Sequence, residues 1–344
     1  MTKRVLVTGA SGYIGGWCAA ELVRRGETVR ATLRDPARAP EVARAVDTVA
    51  DVAGRRADDR LEFATADLSA DDGWTDAMKD VDAVLHVASP MGITADGDPG
   101  SLIRPAVDGT LRVLRAAADA GVRRVVMTSA ANAASPSSYS SEGVTDETLW
   151  TDPDALGLIP YRRAKTLAEK AAWEFTATRA DAPELVTVLP GAVFGPILST
   201  ATIGSVGIIA RMLGGKLPRV PRIGLEVVDV RDLVELHLAA LTSPAAAGQR
   251  FLGTGEFVWM RQIAEVLRAE LGADASRVST RSVPDVLVRL AARRDPALRE
   301  IAPALGRRNR HSTAKAQQVL GWKPRPPAET VLDCARSLLA HHVV

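Results

Sequence analysis

Tyr161 and Lys165 stand four residues apart in a stretch of helical character, which puts both side chains on one face. That spacing has a chemical use. A free phenol titrates at about pH 10. A neighbouring ammonium, together with an oxidised nicotinamide cation, stabilises the phenolate. Lowering the phenol toward neutrality makes Tyr161 an acid or base for a carbonyl/alcohol couple. Lys165 can also hold a cofactor ribose. The chain has three tyrosines, and the other two, Tyr13 and Tyr139, lie in a glycine-rich and a serine-rich stretch. A surface tyrosine beside a surface lysine would show the same spacing, so the pair gains weight only from its surroundings.

The first of these is Thr8-Gly9-Ala10-Ser11-Gly12-Tyr13-Ile14-Gly15, between an apolar run and a helical stretch. Each glycine has a mechanism. Gly9 turns the chain, Gly12 lets backbone approach a pyrophosphate, and Gly15 lets helix pack on strand. The helix N-terminus offers free N–H groups and the positive end of its dipole. The loop therefore predicts dinucleotide binding. The next apolar run ends Leu33-Arg34-Asp35-Pro36. An acid here would bind the ribose 2′-OH of NAD, whereas an arginine pairs with the 2′-phosphate of NADP. Asp35 precedes proline and is explained as a turn cap. Arg34 comes first after the run, so the order favours NADP(H). Asp67-Leu68 and Val87-Ala88-Ser89-Pro90 follow two further runs and belong to the same edge. His86 is read as structural.

These segments need elements to position them. Apolar runs at Arg4–Thr8, Thr28–Leu33, Leu61–Ala66, Ala83–Val87, Arg124–Ser129 and Leu185–Leu189 read as buried strands. Amphipathic stretches at Gly12–Arg25, Leu102–Ala120 and Tyr161–Arg179 lie between most of them. Continuous apolar strands alternating with helices predict an α/β fold with a doubly wound parallel Rossmann sheet. Ligands then bind at the carboxyl edge. The rhythm is lost later, where helices are expected at Ala201–Leu213, Arg231–Leu241, Arg261–Leu271 and Thr313–Leu320. Extended runs at Leu225–Val230 and Gln249–Gly253 are expected to return to the main sheet. The division is thus residues 1–192 as the dinucleotide-binding domain, with a return segment at roughly 223–254, and 193–344 as a smaller, mostly helical, interleaved substrate lobe.

Composition excludes other classes. Among 344 residues, 43 Lys+Arg against 41 Asp+Glu leave a net charge of +2, without the basic excess of a nucleic-acid or membrane-surface protein. Cys18 and Cys334 form neither a metal spacing nor a disulfide framework, so no metal and a reducing cytoplasm are expected. No apolar run approaches a membrane span, and Val5-Leu6-Val7 is too short for a signal peptide.

With these motifs in place the sequence resembles the extended short-chain dehydrogenase/reductases of the NAD-dependent epimerase/dehydratase superfamily. It is most similar to the branch of plant dihydroflavonol reductases, cinnamoyl-CoA reductases and microbial aldehyde and ketone reductases. The likeness runs through Val7–Gly15, Val29–Pro36, Leu85–Met91, Tyr161–Trp173, Pro190–Pro196 and Leu320–Pro324. It implies NADPH on Gly9, Ser11, Gly12, Tyr13, Ile14, Gly15 and Arg34, with Asp67 and Leu68 near the adenine. It implies further that Val87, Ala88, Ser89, Pro190 and Val193 line the cofactor, and that Tyr161 is the proton donor beside Lys165. The expected activity is reduction of a small-molecule aldehyde or ketone by a monomer or homodimer. A nucleotide-sugar epimerase or dehydratase is the alternative enzyme, and a non-catalytic NADP-sensing regulator the alternative class.

There is one departure at the chemistry. The family reads Thr-Ser-Ser at the end of the fifth strand, and its second serine is catalytic. Here the triplet is Thr128-Ser129-Ala130. Ser129 is ranked first to orient the carbonyl, being nearest along the chain. Strand alternation sets it on the face opposite Ala130, and Thr128 and Ser135 are the other hydroxyls within reach.

Overall fold

The apolar runs of the first half become strands close to the expected limits. They are Arg4–Thr8 (β1), Thr28–Leu33 (β2), Leu61–Thr65 (β3), Ala83–His86 (β4) and Arg124–Thr128 (β5). Between them lie helices Tyr13–Arg24 (α1), Ala39–Ala50 (α2), Trp74–Met78 (α3) and Gly100–Asp119 (α4). A short strand Gly143–Thr145 (β6), helix Pro160–Thr178 (α5) and strand Glu184–Pro190 (β7) follow. The computed structural model describes residues 3–90, 100–138, 142–200 and 204–344. Met91, Tyr139 and the expected helix start at Ala201 lie outside them.

Beyond β7 come Ala192–Phe194 (β8), Gly207–Leu213 (α6), Gly224–Asp229 (β9), Val230–Thr242 (α7), Arg250–Gly253 (β10) and Glu256–Trp259 (β11). Met260–Leu271 (α8), Asp285–Ala291 (α9), Pro296–Ile301 (α10), Asn309–His311 (β12), Ala314–Leu320 (α11) and Pro327–Ala340 (α12) complete the chain. No helix among the described residues is long and apolar enough to cross a membrane.

The main sheet has seven parallel strands in the order β10-β7-β5-β4-β1-β2-β3. This is a Rossmann-type α/β fold. Chain order reverses between β1 and β4, where doubly wound folds open a crevice. Register sets the strand ends level there. Thr8 lies opposite both Thr32 and His86, and His86 opposite Met127. The loops carrying the expected site residues therefore leave from one edge.

Several elements differ from expectation: helices α3, α9, α10 and α12 were not expected, one expected strand lies elsewhere, and one apparent loop is a helix. Gln249–Gly253 returns to the main sheet as β10, but Leu225–Val230 does not. That run is β9, held in a separate three-stranded sheet between β8 and β11. Both sides of β7 are already taken by β5 and β10, and β8, one residue past β7, captures β9 instead. The second half is thus helices built around a small sheet. Helix α2 is the apparent loop. Val42, Val46 and Ala50 recur every four residues and are buried against α1, but Pro36 and Pro40 give the segment the look of a loop.

Helix α5 is fastened to the sheet by buried charge. The Glu169 carboxylate, with a fully buried side chain, accepts from Arg250 Nε at 2.8 Å, Thr187 Oγ1 at 2.7 Å and Ser129 Oγ at 2.6 Å. Arg250 also donates to Glu147 O at 2.6 Å and lies 3.6 Å from the Trp150 ring centre. Removing one partner of such a pair leaves an uncompensated buried charge. Arg250→Ala should therefore destabilise the chain by about 3–5 kcal/mol, read from the denaturant midpoint at constant m-value. A loss below about 1 kcal/mol would show that the pair does not fasten the helix.

Candidate active site

The glycine loop is built by close approach. Gly9 sits at φ +73°, and its carbonyl accepts from Gly12 N at 2.8 Å. A Cβ on Gly15 would lie 2.2 Å from the same oxygen, so no side chain fits there. Gly12 is the N-cap of α1 and brings no capping side chain, and no acid stands in the first turn. The leading N–H groups and the positive dipole end are thus left for an anion. Thr8 Oγ1 braces the loop by accepting from Ala88 N at 3.0 Å and contacting His86 Nδ1 at 2.9 Å. Burial pushes the His86 imidazole down to about 3, so it stays neutral and structural.

At the end of β2, Arg34 is exposed and lines the cleft. The Asp35 carboxylate accepts from Ala37 N at 3.0 Å, the turn cap expected of it. Arg38, half-buried, also lines the cleft and pairs with Glu41 at 3.0 Å. Nothing in its sequence context marked Arg38, because the turn hides how the chain folds back. Asp67 accepts from Ser69 N and Ser69 Oγ, both at 2.8 Å, and these bonds hold its carboxyl below the usual range.

Pro160 opens α5 at a position where its fixed φ suits a helix start. Tyr161 and Lys165 follow on one face. Burial pushes the Tyr161 phenol up. Lys165 Nζ donates to Thr128 O at 3.2 Å. Burial brings the Lys165 ammonium down to about 8, and Glu169 one turn on opposes that drop.

Ser129 is corrected by the same geometry. Its hydroxyl proton goes to Glu169, so it is not available to orient a carbonyl. Thr128 Oγ1 meets His237 Nε2 at 2.8 Å, while His237 Nδ1 meets Leu233 O at 2.8 Å. The Nδ1 must donate to that carbonyl, which leaves Nε2 to accept from Thr128. Ser135 Oγ donates to Ala131 O at 2.8 Å and contacts His311 Nε2 at 2.9 Å. Ala130 itself is buried in the cleft wall.

One cleft of about 1010 Å³ brings these segments together. It is lined by Gly9, Ser11, Gly12, Tyr13, Ile14 and Gly15 from the loop, and by Arg34, Asp67, Leu68, Val87, Ala88 and Ser89 from the next strand ends. Ser129, Tyr161, Lys165, Pro190 and Val193 line it too. The lobe adds Gly224, Leu225, Glu226 and His311, and the turn after β5 adds Asn132. Glu226 holds His311 twice, accepting from its backbone N at 2.7 Å and pairing with Nδ1. Sequence reading missed Glu226, His311 and Asn132, since 85 residues separate the first two and no local pattern marks the third.

The model of the NAD dependent epimerase/dehydratase family matches residues 5–252. Cinnamoyl-CoA reductase 1 of Oryza sativa subsp. japonica is 37% identical over 267 residues, covering 77% of this chain and 75% of the relative. Dihydroflavonol 4-reductase of Zea mays is 34% identical over 271 residues, covering 77% and 73%. Among solved structures, the yeast methylglyoxal/isovaleraldehyde reductase Gre2 complexed with NADPH superposes with a TM-score of 0.79 at 23% identity, covering 99% of this chain and 100% of that one. The family model spans the glycine loop, the strand-end crevice and the helix of Tyr161 and Lys165, and the chain belongs to the NAD dependent epimerase/dehydratase family, on its reductase branch.

Proposed function

We propose that this oxidoreductase uses NADPH to reduce an aldehyde or a ketone, with Tyr161 as the proton donor. The observation that carries this reading is that Tyr161 and Lys165 share one cleft with the glycine loop and Arg34. The residues fit the cofactor. The open helix N-terminus at Gly12 suits a pyrophosphate, the Gly15 approach leaves room only for backbone, and the exposed Arg34 guanidinium suits a 2′-phosphate. NADPH, when bound, supplies the hydride that goes to the carbonyl carbon.

The protein's own part is the proton and its placement. Burial keeps the Tyr161 phenol protonated, so it enters the reaction as an acid. Charge grows on the substrate oxygen as hydride arrives, and Tyr161 passes its proton there. The Lys165 ammonium then faces the developing phenolate and stabilises it. Thr128 O fixes that ammonium in place. The relatives named for carbonyl substrates, a cinnamoyl-CoA reductase and a methylglyoxal/isovaleraldehyde reductase, are consistent with this chemistry.

Tyr161→Phe removes the donor and should lower turnover by about 10²–10⁴ while NADPH binding is kept. Stopped-flow hydride transfer and a fluorescence titration measure the two. More than a tenth of wild-type turnover in the variant would refute Tyr161 as donor. Arg34→Ala should weaken NADPH by about 10- to 100-fold and leave NADH nearly unchanged. Equal losses would mean that Arg34 does not read the 2′-phosphate. The pH profile has a defined sign. Lys165 is charged below about 8 and neutral above it. The kcat/KM for the carbonyl should therefore be level on the acid side and fall as pH rises through about 8, whereas a profile still level a full unit higher would exclude Lys165 as the charge that matters.

A further inference from the structure

Hydride addition builds negative charge on the substrate oxygen, and one acid seldom holds that oxygen alone. A second oriented donor is the usual complement. In this chain the family's serine position is Ala130, and the neighbouring hydroxyls are spent: Ser129 on Glu169, Thr128 on His237, Ser135 on Ala131 O. His311 is spent as well, with one ring nitrogen on Glu226 and the other on Ser135.

Asn132 is different. It is the second residue of the 3-10 turn Ala131–Ala134, which packs directly against α5. It is half-buried and lines the cleft together with Ala130, Tyr161 and Lys165. Its backbone is held, since Asn132 O accepts from Thr151 Oγ1 at 2.6 Å and Thr151 N donates to Ala133 O at 2.9 Å. Its side-chain amide makes no hydrogen bond to any described residue. A residue that lines the cleft on a held backbone, with an amide that no described residue engages, has the makings of a preorganised donor. Resting on the reductase reading, we propose that the Asn132 amide N–H donates to the carbonyl oxygen of the substrate beside Tyr161, in place of the serine that Ala130 replaces. No bond is made or broken at Asn132. It holds the oxygen while hydride reaches the carbon and the phenol proton reaches the oxygen.

The test uses the full chain with NADPH and a panel of aliphatic, aromatic and keto-ester carbonyls. Asn132→Ala should lower kcat by about 10²–10³ with NADPH affinity and melting temperature unchanged. Adding Ala130→Ser to that variant should recover at least about tenfold, because a hydroxyl then stands at the family's position. A kcat near wild type in Asn132→Ala overturns the proposal. So does a fall in kcat matched by loss of NADPH affinity, or one that Ala130→Ser does not rescue. Loss in Ser89→Ala with normal Asn132→Ala would also overturn it, by giving the role to the loop after β4. Absence of turnover by wild type on every carbonyl would instead refute the reductase reading. Benzamide, a carbonyl that cannot be reduced, then serves as probe by its quenching of NADPH fluorescence. Tighter binding by wild type than by Asn132→Ala, by about tenfold, supports the donor, and equal or absent binding overturns it.

Discussion

A carboxylate buried without water must be answered by donors, and Glu169 is such a group. It stands one turn past Lys165 on the helix that carries Tyr161, and its side chain is fully buried. Ser129 from the end of β5, Thr187 from β7 and Arg250 from β10 converge on it. Three strands are thereby tied to one point of one helix. Isolated, this charge would destabilise the fold, and only the complete donor set makes it tolerable. That requirement fixes the rotation of α5 about its axis, and with it where Tyr161 and Lys165 face. The same requirement uses up Ser129. Structural and catalytic demands compete for a single hydroxyl proton, and the structural one prevails.

Desolvation then acts on the site in two directions. It raises the phenol of Tyr161, whose charged form is an anion, and lowers the ammonium of Lys165, whose charged form is a cation. Both neutral forms are favoured, yet Glu169 opposes the effect at Lys165 alone. The outcome is an acid that keeps its proton beside a base that is still largely charged near neutrality. Lys165 spends its nearest contact on Thr128 O rather than on the phenol. In the proposed reaction a cation can stabilise the phenolate only once that phenolate forms, so the ammonium would contribute to the transition state more than to the resting site.

Much of the cofactor end was legible in the sequence because its signals are local. Gly9, Gly12 and Gly15 act within seven residues of one another, and Tyr161 and Lys165 within one helical turn. Residues at strand ends, such as Arg34, Asp67 and Ser89, follow from counting apolar runs and knowing which edge binds ligands. What escaped was non-local or hidden by proline. Arg38 lies past the Asp35-Pro36 turn, and helix α2 behind it shows its period only through Val42, Val46 and Ala50. The fate of Ser129 depended on a carboxylate 40 residues away. The position of Leu225–Val230 depended on β10 occupying the remaining edge of β7, which no window of sequence contains.

The lobe side of the cleft follows a different rule from the cofactor side. Glu226 enters through β9, whose register on β8 pairs Ala192 with Val227 and Val193 with Val228. His311 enters through β12, which pairs with β6 so that His311 lies opposite Thr145. Both pairings are only three residues long, and the β9–β11 ladder, which sets Glu226 opposite Phe257, has four. Side chains alternate along a strand, so a slip of one residue would turn Glu226 or His311 out of the cleft. Short ladders alone hold register weakly. Here Glu226 binds both the backbone N and the ring of His311, which locks the two small sheets to each other. The lobe wall is therefore positioned by a side chain that also lines it, whereas the glycine loop is positioned by its own backbone contacts and by the Thr8 hydroxyl. Substitution at Glu226 would alter the wall and its support together, as a side chain at Gly15 would at the glycine loop.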